Sequence, residues 1–192
     1  MLVFRMGFLS RDKISKLKLK NFGSEVLISE NASILHPELV SIGDNSRIDD
    51  FVVISGKVSI GSHVHIGTHC SLLASSQEII LEDFSGISPG CRIFAASDDF
   101  SGDSLTNPTI PNEFTKVNYS RVVLKKHVIV GSNSVIGPGV TLNEGAAIGA
   151  LSLVRLDVEA WTINAGVPAR KIRERAKTLL QFESFLGDIK KS

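Results

Sequence analysis

The chain has 192 residues, with 21 Lys and Arg against 20 Asp and Glu, a net charge of +1, 43% hydrophobic residues and two cysteines. Such a balance leaves neither a basic field for nucleic acid nor an acidic surface, and the length suits one domain with a small appendage. The N-terminal MLVFRMGFLSRDK is apolar, but Arg5 interrupts it, no cleavage-site pattern succeeds it, and no apolar run approaches the ~20 residues of a membrane span. Residues 1–27 are therefore expected to pack on the first coil of a repeat that begins at residue 28, in a cytoplasmic protein without membrane insertion. Weak surface contact through this segment and the basic SKLKLK is the alternative.

From residue 28 onward a period of six takes over. Ile28 and Ile34 begin it, and after a two-residue slip come Ile42, Ile48, Ile54, Ile60, Ile66 and Leu72. A three-residue slip precedes Leu81, Ile87 and Ile93, and the run Leu124, Val130, Ile136, Leu142, Ile148 and Val154 closes the series. Neither a 3.6-residue helix nor a two-residue strand alternation has this period. A short strand, a corner and another short strand does, when each strand presents one aliphatic to a shared axis. Gly131, Gly137, Asn143 and Gly149 read as corner residues with unusual backbone angles. Small residues (Val128, Ser134, Val140, Ala146, Ser152) recur four places after the aliphatics. Three hexapeptides make one triangular coil, so the pattern predicts an all-β parallel β-helix over residues 28–169, with about six coils stacked ~4.8 Å apart.

Three features interrupt or decorate the repeat. Residues 61–69 hold His63, His65 and His69, whose HxH pattern raises a zinc site; but successive hexapeptides lie on different sides of the triangle, so the rings should diverge. Cys70 and Cys91 fall at the inward small position and are expected to be buried thiols rather than a disulfide or metal ligands. Residues 94–121 lose the six-fold phase and read as a long excursion loop that docks on something through Phe100 or Phe114. At the end, RKIRERAKTLLQFESFLGDIKKS places Ile172, Ala176, Leu179, Leu180 and Phe182 or Phe185 at helical spacing, which predicts an amphipathic C-terminal α-helix over residues 170–192.

The stretch VIVGSNSVIGPGVTLNEGAAIGALSLV followed by NAGVPARKIRER resembles the hexapeptide-repeat acyltransferases, which include galactoside and maltose acetyltransferases and the sugar acyltransferases of surface-polysaccharide pathways. The resemblance spans roughly residues 20–175. It implies a left-handed β-helix, acetyl-CoA as cosubstrate without a metal, and a homotrimer whose subunit clefts hold the ligands. Ser132 and Ala150, beside Gly131 and Gly149, match positions along the pantetheine arm; Arg155, Arg170 and Arg173 match positions near the phosphates, where a planar guanidinium binds two oxygens. In related O-acetyltransferases the loop carries a catalytic histidine, and Asp98 stands in its place here. A carboxylate suits an amine acceptor better than a hydroxyl, which needs a base near pKa 7, so His65 or His69 stays open as a base. Ser97 and Asp99 flank Asp98 as substrate-binding candidates. SDDFSG and LTNP resemble the N-acetyltransferases of nucleotide-linked amino-dideoxy sugars such as dTDP-4-amino-4,6-dideoxyglucose; the alternative is a sugar O-acetyltransferase. A metal-dependent or noncatalytic β-helix is a further class.

Overall fold

The computed structural model describes residues 7–189, so the apolar start MLVFRM and the last three residues lie outside the described residues. The aliphatics of the repeat form three inward columns of a triangular prism. On the first face Phe22, Ile42, Ile60, Leu81, Leu124 and Leu142 stand in parallel register, each above the last, and Val158 continues them through a bridge. The second face stacks Ile28, Ile48, Ile66, Ile87, Val130, Ile148 and finally Asn164. The third stacks Ile34, Ile54, Leu72, Ile93, Ile136 and Val154. From Ile48 to Ile136 the members of these columns are essentially fully buried, and each large aliphatic contributes ~2 kcal/mol. The parallel β-helix thus has about seven turns rather than six. It begins at Phe22, inside the segment expected to be an appendage, because Asn21–Phe22 pairs with Ser41–Ile42.

Spacing is not equally strict at the three corners. From first face to second, and from second to third, every aliphatic is followed by the next at six residues. All the irregular steps occur at the third corner: Ile34 to Ile42, Leu72 to Leu81, Ile93 to Leu124 and Val154 to Val158. The first of these accommodates a 3₁₀ turn, Pro37–Leu39, and the third the excursion loop.

The corner chemistry differs from the expectation. Gly131, Gly137 and Gly149 are not among the residues of positive φ; the left-handed backbone lies mostly at the third residue after each aliphatic. On the first corner those residues are Glu25, Asn45, His63, Phe84, His127, Gly145 and Trp161; on the second they are Phe51, His69, Gly90, Asn133 and Leu151. A side chain in this conformation costs about 1 kcal/mol, offset at most of these positions by a hydrogen bond from the amide to the previous coil, as in His63 N to Asp44 O at 2.8 Å. Gly131 and Gly149 answer a different need. A Cβ on Gly131 would stand 2.5 Å from the Ala150 nitrogen, and one on Gly149 would stand 2.8 Å from the Ala165 Cβ.

Both ends are closed. Residues 7–9 run antiparallel to the first coil, with Leu9 N donating to Ile28 O at 2.8 Å and Glu30 N to Gly7 O at 2.7 Å. Helix α1 (Arg11–Lys16), capped by Ser10, drives Ile14 into the end of the core. At the other end the expected helix over 170–192 is corrected. Thr162–Gly166 and Ala169–Glu174 form an antiparallel hairpin, turned at Gly166–Pro168, and helix α2 (Leu179–Ile189) begins only afterwards. Pairing with an edge strand overrides the helical composition of RKIRER, so Ile172 is exposed on a strand instead of facing the prism. Among the described residues no helix is long and apolar enough to cross a membrane.

Candidate active site

The second corner carries an open row of backbone donors. Asp50, Thr68, Pro89, Ser132 and Ala150 occupy equivalent places, two residues after the second-face aliphatics. Their carbonyls are used: His69 N donates to Asp50 O at 3.0 Å, Gly90 N to Thr68 O at 2.9 Å, Asn133 N to Pro89 O at 3.0 Å and Leu151 N to Ser132 O at 2.9 Å. The amides of Asp50, Thr68, Ser132 and Ala150 take no partner among the described residues, and Pro89 has none to offer. Unpaired backbone donors in a row suit a ligand that brings its own carbonyl or phosphoryl acceptors.

This corner is also pinned from the inside. The Cys70 thiol donates to Ser88 O at 3.1 Å and Cys91 to Gly131 O at 3.2 Å, while the Ser134 and Ser152 hydroxyls donate to Gly149 O at 3.0 and 2.7 Å. Both cysteines are free and buried. A hydrogen bond with Cys91 and burial hold the Cys70 thiol protonated. Gly131 and Gly149 have no room for a side chain, and this brings the backbones of adjacent coils together beneath Ser132 and Ala150.

The candidate histidines separate, as different faces require. His63 stacks on Phe84 at the first corner, with ring centroids 4.8 Å apart. His65 lies on the second face with Nε2 2.8 Å from Asp49 Oδ2, and Arg47 Nε holds the other oxygen of the same carboxylate at 2.5 Å. His69 is exposed at the second corner, its ring 4.9 Å from that of Phe51. No group of three or more metal-ligating side chains occurs among the described residues.

The loop leaves from the third corner. Ala96–Ser97 pairs antiparallel with Asn118–Tyr119 to form its neck, and Phe100 and Phe114 project from it exposed rather than docked. Asp98 follows the neck half-buried, and its carboxylate takes no hydrogen bond or ion pair among the described residues. Asp99 is employed differently. Its Oδ1 accepts from the Ser101 hydroxyl at 2.7 Å and the Ser101 amide at 2.9 Å, and its Oδ2 accepts from Ser104 at 3.0 Å. The Ser101 hydroxyl first, then its amide, hold the Asp99 carboxyl below the usual carboxylate range. The Ser97 hydroxyl turns to the Asp98 carbonyl at 3.1 Å. One whole face of the prism separates Asp98 from His69, so a single chain does not bring the two together.

Of the predicted phosphate ligands, Arg155 and Arg170 line one cavity of about 510 Å³ at the C-terminal end, with Lys171 beside them. Lys171 is bound to Glu159 and Glu174 at 2.8 and 2.7 Å, which leaves the two arginines as the cavity's available cations. Arg173 stands opposite Ile163 on the hairpin, outside the cavity lining.

Comparison with known proteins agrees with this geometry. The bacterial transferase hexapeptide model (six repeats) matches residues 40–74. Over 182 residues the chain is 40% identical to dTDP-4-amino-4,6-dideoxy-D-glucose acyltransferase of Escherichia coli, covering 93% of this chain and 94% of the relative. The chain belongs to the hexapeptide-repeat acyltransferases. This acyltransferase is 43% identical to AntD, an N-acyltransferase from Bacillus cereus solved with dTDP and 3-hydroxybutyryl-CoA, and superposes on it with a TM-score of 0.95 over 97% of this chain and 99% of that one. AntD has also been solved with one aspartate replaced by alanine or by asparagine, in complex with dTDP and coenzyme A. Galactoside O-acetyltransferase of Escherichia coli strain K12 is more distant, at 29% over 150 residues, 77% of this chain and 70% of the relative. The acyltransferase takes its acyl group from a coenzyme A thioester.

Two features of the site were missed in the sequence. Phe51 as a partner of His69 and the open amides of Asp50 and Thr68 belong to corner positions that the glycine-based reading passed over. Aligning the hexapeptides on their third residue rather than their first would have exposed them.

Proposed function

We propose that this acyltransferase transfers an acyl group, acetyl in the simplest case, from its coenzyme A thioester to the amine of a dTDP-linked amino-dideoxy sugar, as a cytoplasmic homotrimer in surface-polysaccharide synthesis. The open amides of Ser132 and Ala150 carry this reading. They sit where a pantetheine arm would bring amide carbonyls, above the close approach at Gly131 and Gly149. Arg155 and Arg170 provide cations for the nucleotide end one coil beyond. The E. coli and B. cereus relatives support the amine acceptor and the dTDP carrier, and two unbridged buried thiols fit a reducing compartment.

The trimer follows from the divided site. Asp98 lies at the third corner and the amide row at the second, so a threefold assembly that sets the loop of one chain against the second corner of the next completes the site. Exposed Phe100 then gains a surface. In the reaction the amine lone pair attacks the thioester carbonyl, the carbon–sulfur bond breaks as the tetrahedral intermediate collapses, and the nitrogen gives up a proton. Asp98 orients the amine and stabilises the positive charge that grows on nitrogen during attack. His69, exposed at the second corner, is better placed than the Asp49-bound His65 to receive the departing proton. Thiol release from acetyl-CoA, measured with dTDP-linked 4-amino sugars and with simple glycosides, tests the proposal. Turnover is expected with the amine alone, and turnover confined to hydroxyl acceptors would transfer the case to an O-acetyltransferase.

A further inference from the structure

Each open amide of the second corner is one end of a peptide group whose other end faces the core. The Gly131–Ser132 and Gly149–Ala150 peptides are trans, so carbonyl and N–H point in opposite directions. Their carbonyls accept from buried side chains, Gly131 O from Cys91 and Gly149 O from Ser134 and Ser152, and this aims the Ser132 and Ala150 N–H groups out of the prism. The amides on either side are anchored to adjacent coils, Gly131 N to Ile148 O at 2.8 Å and Asn133 N to Pro89 O at 3.0 Å. The Gly131–Ser132 peptide itself has no backbone partner among the described residues. Glycine is required at position 131 by the approach of Ala150, and a glycine permits several directions of the peptide that follows it. The direction therefore has to be fixed by a side chain.

Inner donors are unevenly distributed along this corner. The inward residue of one coil stands against the corner peptide of the next. Ala32 and Val52, against Asp49–Asp50 and Gly67–Thr68, have no donor to give. Cys70 donates to Ser88 O at 3.1 Å, but Ser88–Pro89 has no N–H to aim. From Cys91 onward an inner donor stands behind an open amide. The Gly61–Ser62 peptide of the first corner shows such a group with both ends occupied. Inside, the Ser46 hydroxyl donates to Gly61 O at 2.8 Å, and outside Ser62 N donates to the Asp83 carboxylate at 2.7 Å.

We propose that Cys91 is a positioning residue for the acyl donor: its thiol holds the Gly131–Ser132 peptide so that the Ser132 amide meets a carbonyl of the pantetheine arm. Ser134 and Ser152 do the same for Ala150, in duplicate. A donor on the carbonyl also polarises the N–H at the other end of the peptide, so the outer hydrogen bond gains in strength as well as direction. The role rests on the pantetheine reading of Ser132 and Ala150. It gives a buried thiol that never touches the ligand a part in binding it.

Calorimetric titration of the intact protein with coenzyme A, and separately with dTDP, provides the test. Cys91→Ala and Cys91→Ser differ by one hydroxyl, and inward places already hold both residue types, Ala146 at the first corner and Ser134 at the second, where the hydroxyl reaches the next coil at 3.0 Å. Cys91→Ala should weaken coenzyme A binding about fivefold, while Cys91→Ser stays within about twofold of the unaltered protein. Affinity for dTDP should be the same in each. Cys70→Ala removes the same thiol from beneath a peptide without an N–H and should leave coenzyme A affinity unchanged. Ser134→Ala should cost less than Cys91→Ala, because Ser152 still holds Gly149 O. Unchanged affinity in Cys91→Ala would overturn the assignment, as would equal weakening in Cys91→Ser or in Cys70→Ala. Ala150→Pro separates this outcome from failure of the reading beneath it. If deleting that amide leaves coenzyme A affinity unchanged, the pantetheine placement itself falls, and the role of Cys91 with it.

Discussion

The first and second corners of the prism share one backbone conformation and the same strict six-residue spacing, yet they are finished in opposite ways. At the first corner the amides equivalent to the open row are capped by side chains of an adjacent coil: Ser24 N by Asp44 at 2.7 Å, Asp44 N by Ser62 at 3.1 Å and Ser62 N by Asp83 at 2.7 Å from the coil after, and Lys126 N by Glu82 at 3.1 Å from the coil before. Outside that ladder the rings of His63, Phe84 and His127 stack at 4.8 and 5.3 Å, and Trp161 ends the series. Arg175 ties the hairpin to the carbonyls of His127 and Gly145, and helix α2 covers the corner through Glu183. The second corner has its own ring stack, Phe51 on His69, and its own arginine tie, Arg92 to the carbonyls of His69 and Gly90, but among the described residues no side chain caps its open amides. The same fold element serves stability where its donors are satisfied internally and binding where they are left for a ligand.

That contrast can be broken at its ligand end most strongly. Asp98→Asn should lower turnover on the order of 10²-fold with little change in melting temperature. Asp99→Asn should do the reverse, because its oxygens hold the loop turn. If steady-state kinetics and thermal unfolding assign the two effects the other way round, the roles of these aspartates are exchanged. At the first corner, Phe84→Ala removes two stacked contacts and part of the wall under α2. The expected cost is about 2 kcal/mol of stability, read in denaturant unfolding, with the KM for acyl-CoA unaltered.

A subtler change sharpens the comparison. Proline already occupies the fourth coil's place in the open row, at Pro89, where it stands against Gly67; Ala150→Pro deletes a single amide at a place that likewise stands against a glycine, Gly131. The loss of one hydrogen bond, about 1 kcal/mol, should raise the KM for acyl-CoA roughly fivefold and leave folding intact. An equal rise in an Asn143→Ala control, away from the row, would deny the amide any particular role.

The smallest effect concerns pH. Lys126 first, and then His127, hold the Glu183 carboxyl below its ordinary range. A depressed folded value means that the stabilisation is fully present above the unfolded pKa near 4.3 and is lost as pH falls through the lower folded value. Amide exchange in Leu179–Leu186 should therefore accelerate below about pH 4. Glu183→Gln should show the faster exchange already at neutral pH, at a cost of at most about 1 kcal/mol.

How much of this was legible depends on which residue of the hexapeptide is considered. The inward aliphatics announced the columns because each one has the same neighbours above and below it. Phe51, Phe84, His127 and Trp161 gave no such notice, since bulky residues at positive φ contradict the local preference, and only stacking between coils sustains them. RKIRER misled for a related reason. Its composition is helical, but pairing with Thr162–Gly166 decides its conformation, and that partner becomes available only after the last coil has closed. For the site, Asp98 could be located by counting from Leu81, whereas its separation from His69 required knowing at which corner the loop departs.

The irregular spacing at the third corner has a consequence for how such a molecule can change. Insertions there, from a short 3₁₀ turn to the whole excursion loop, leave every column in register on either side. An extra residue at the second corner would instead shift the amides of one coil relative to the next and alter the separation between the two bound reactants. The third edge is thus a seam at which new chain can be spliced, while the adjacent edge keeps its length standard. Acceptor preference can drift through the loop without recalibrating the groove in which donor and acceptor meet.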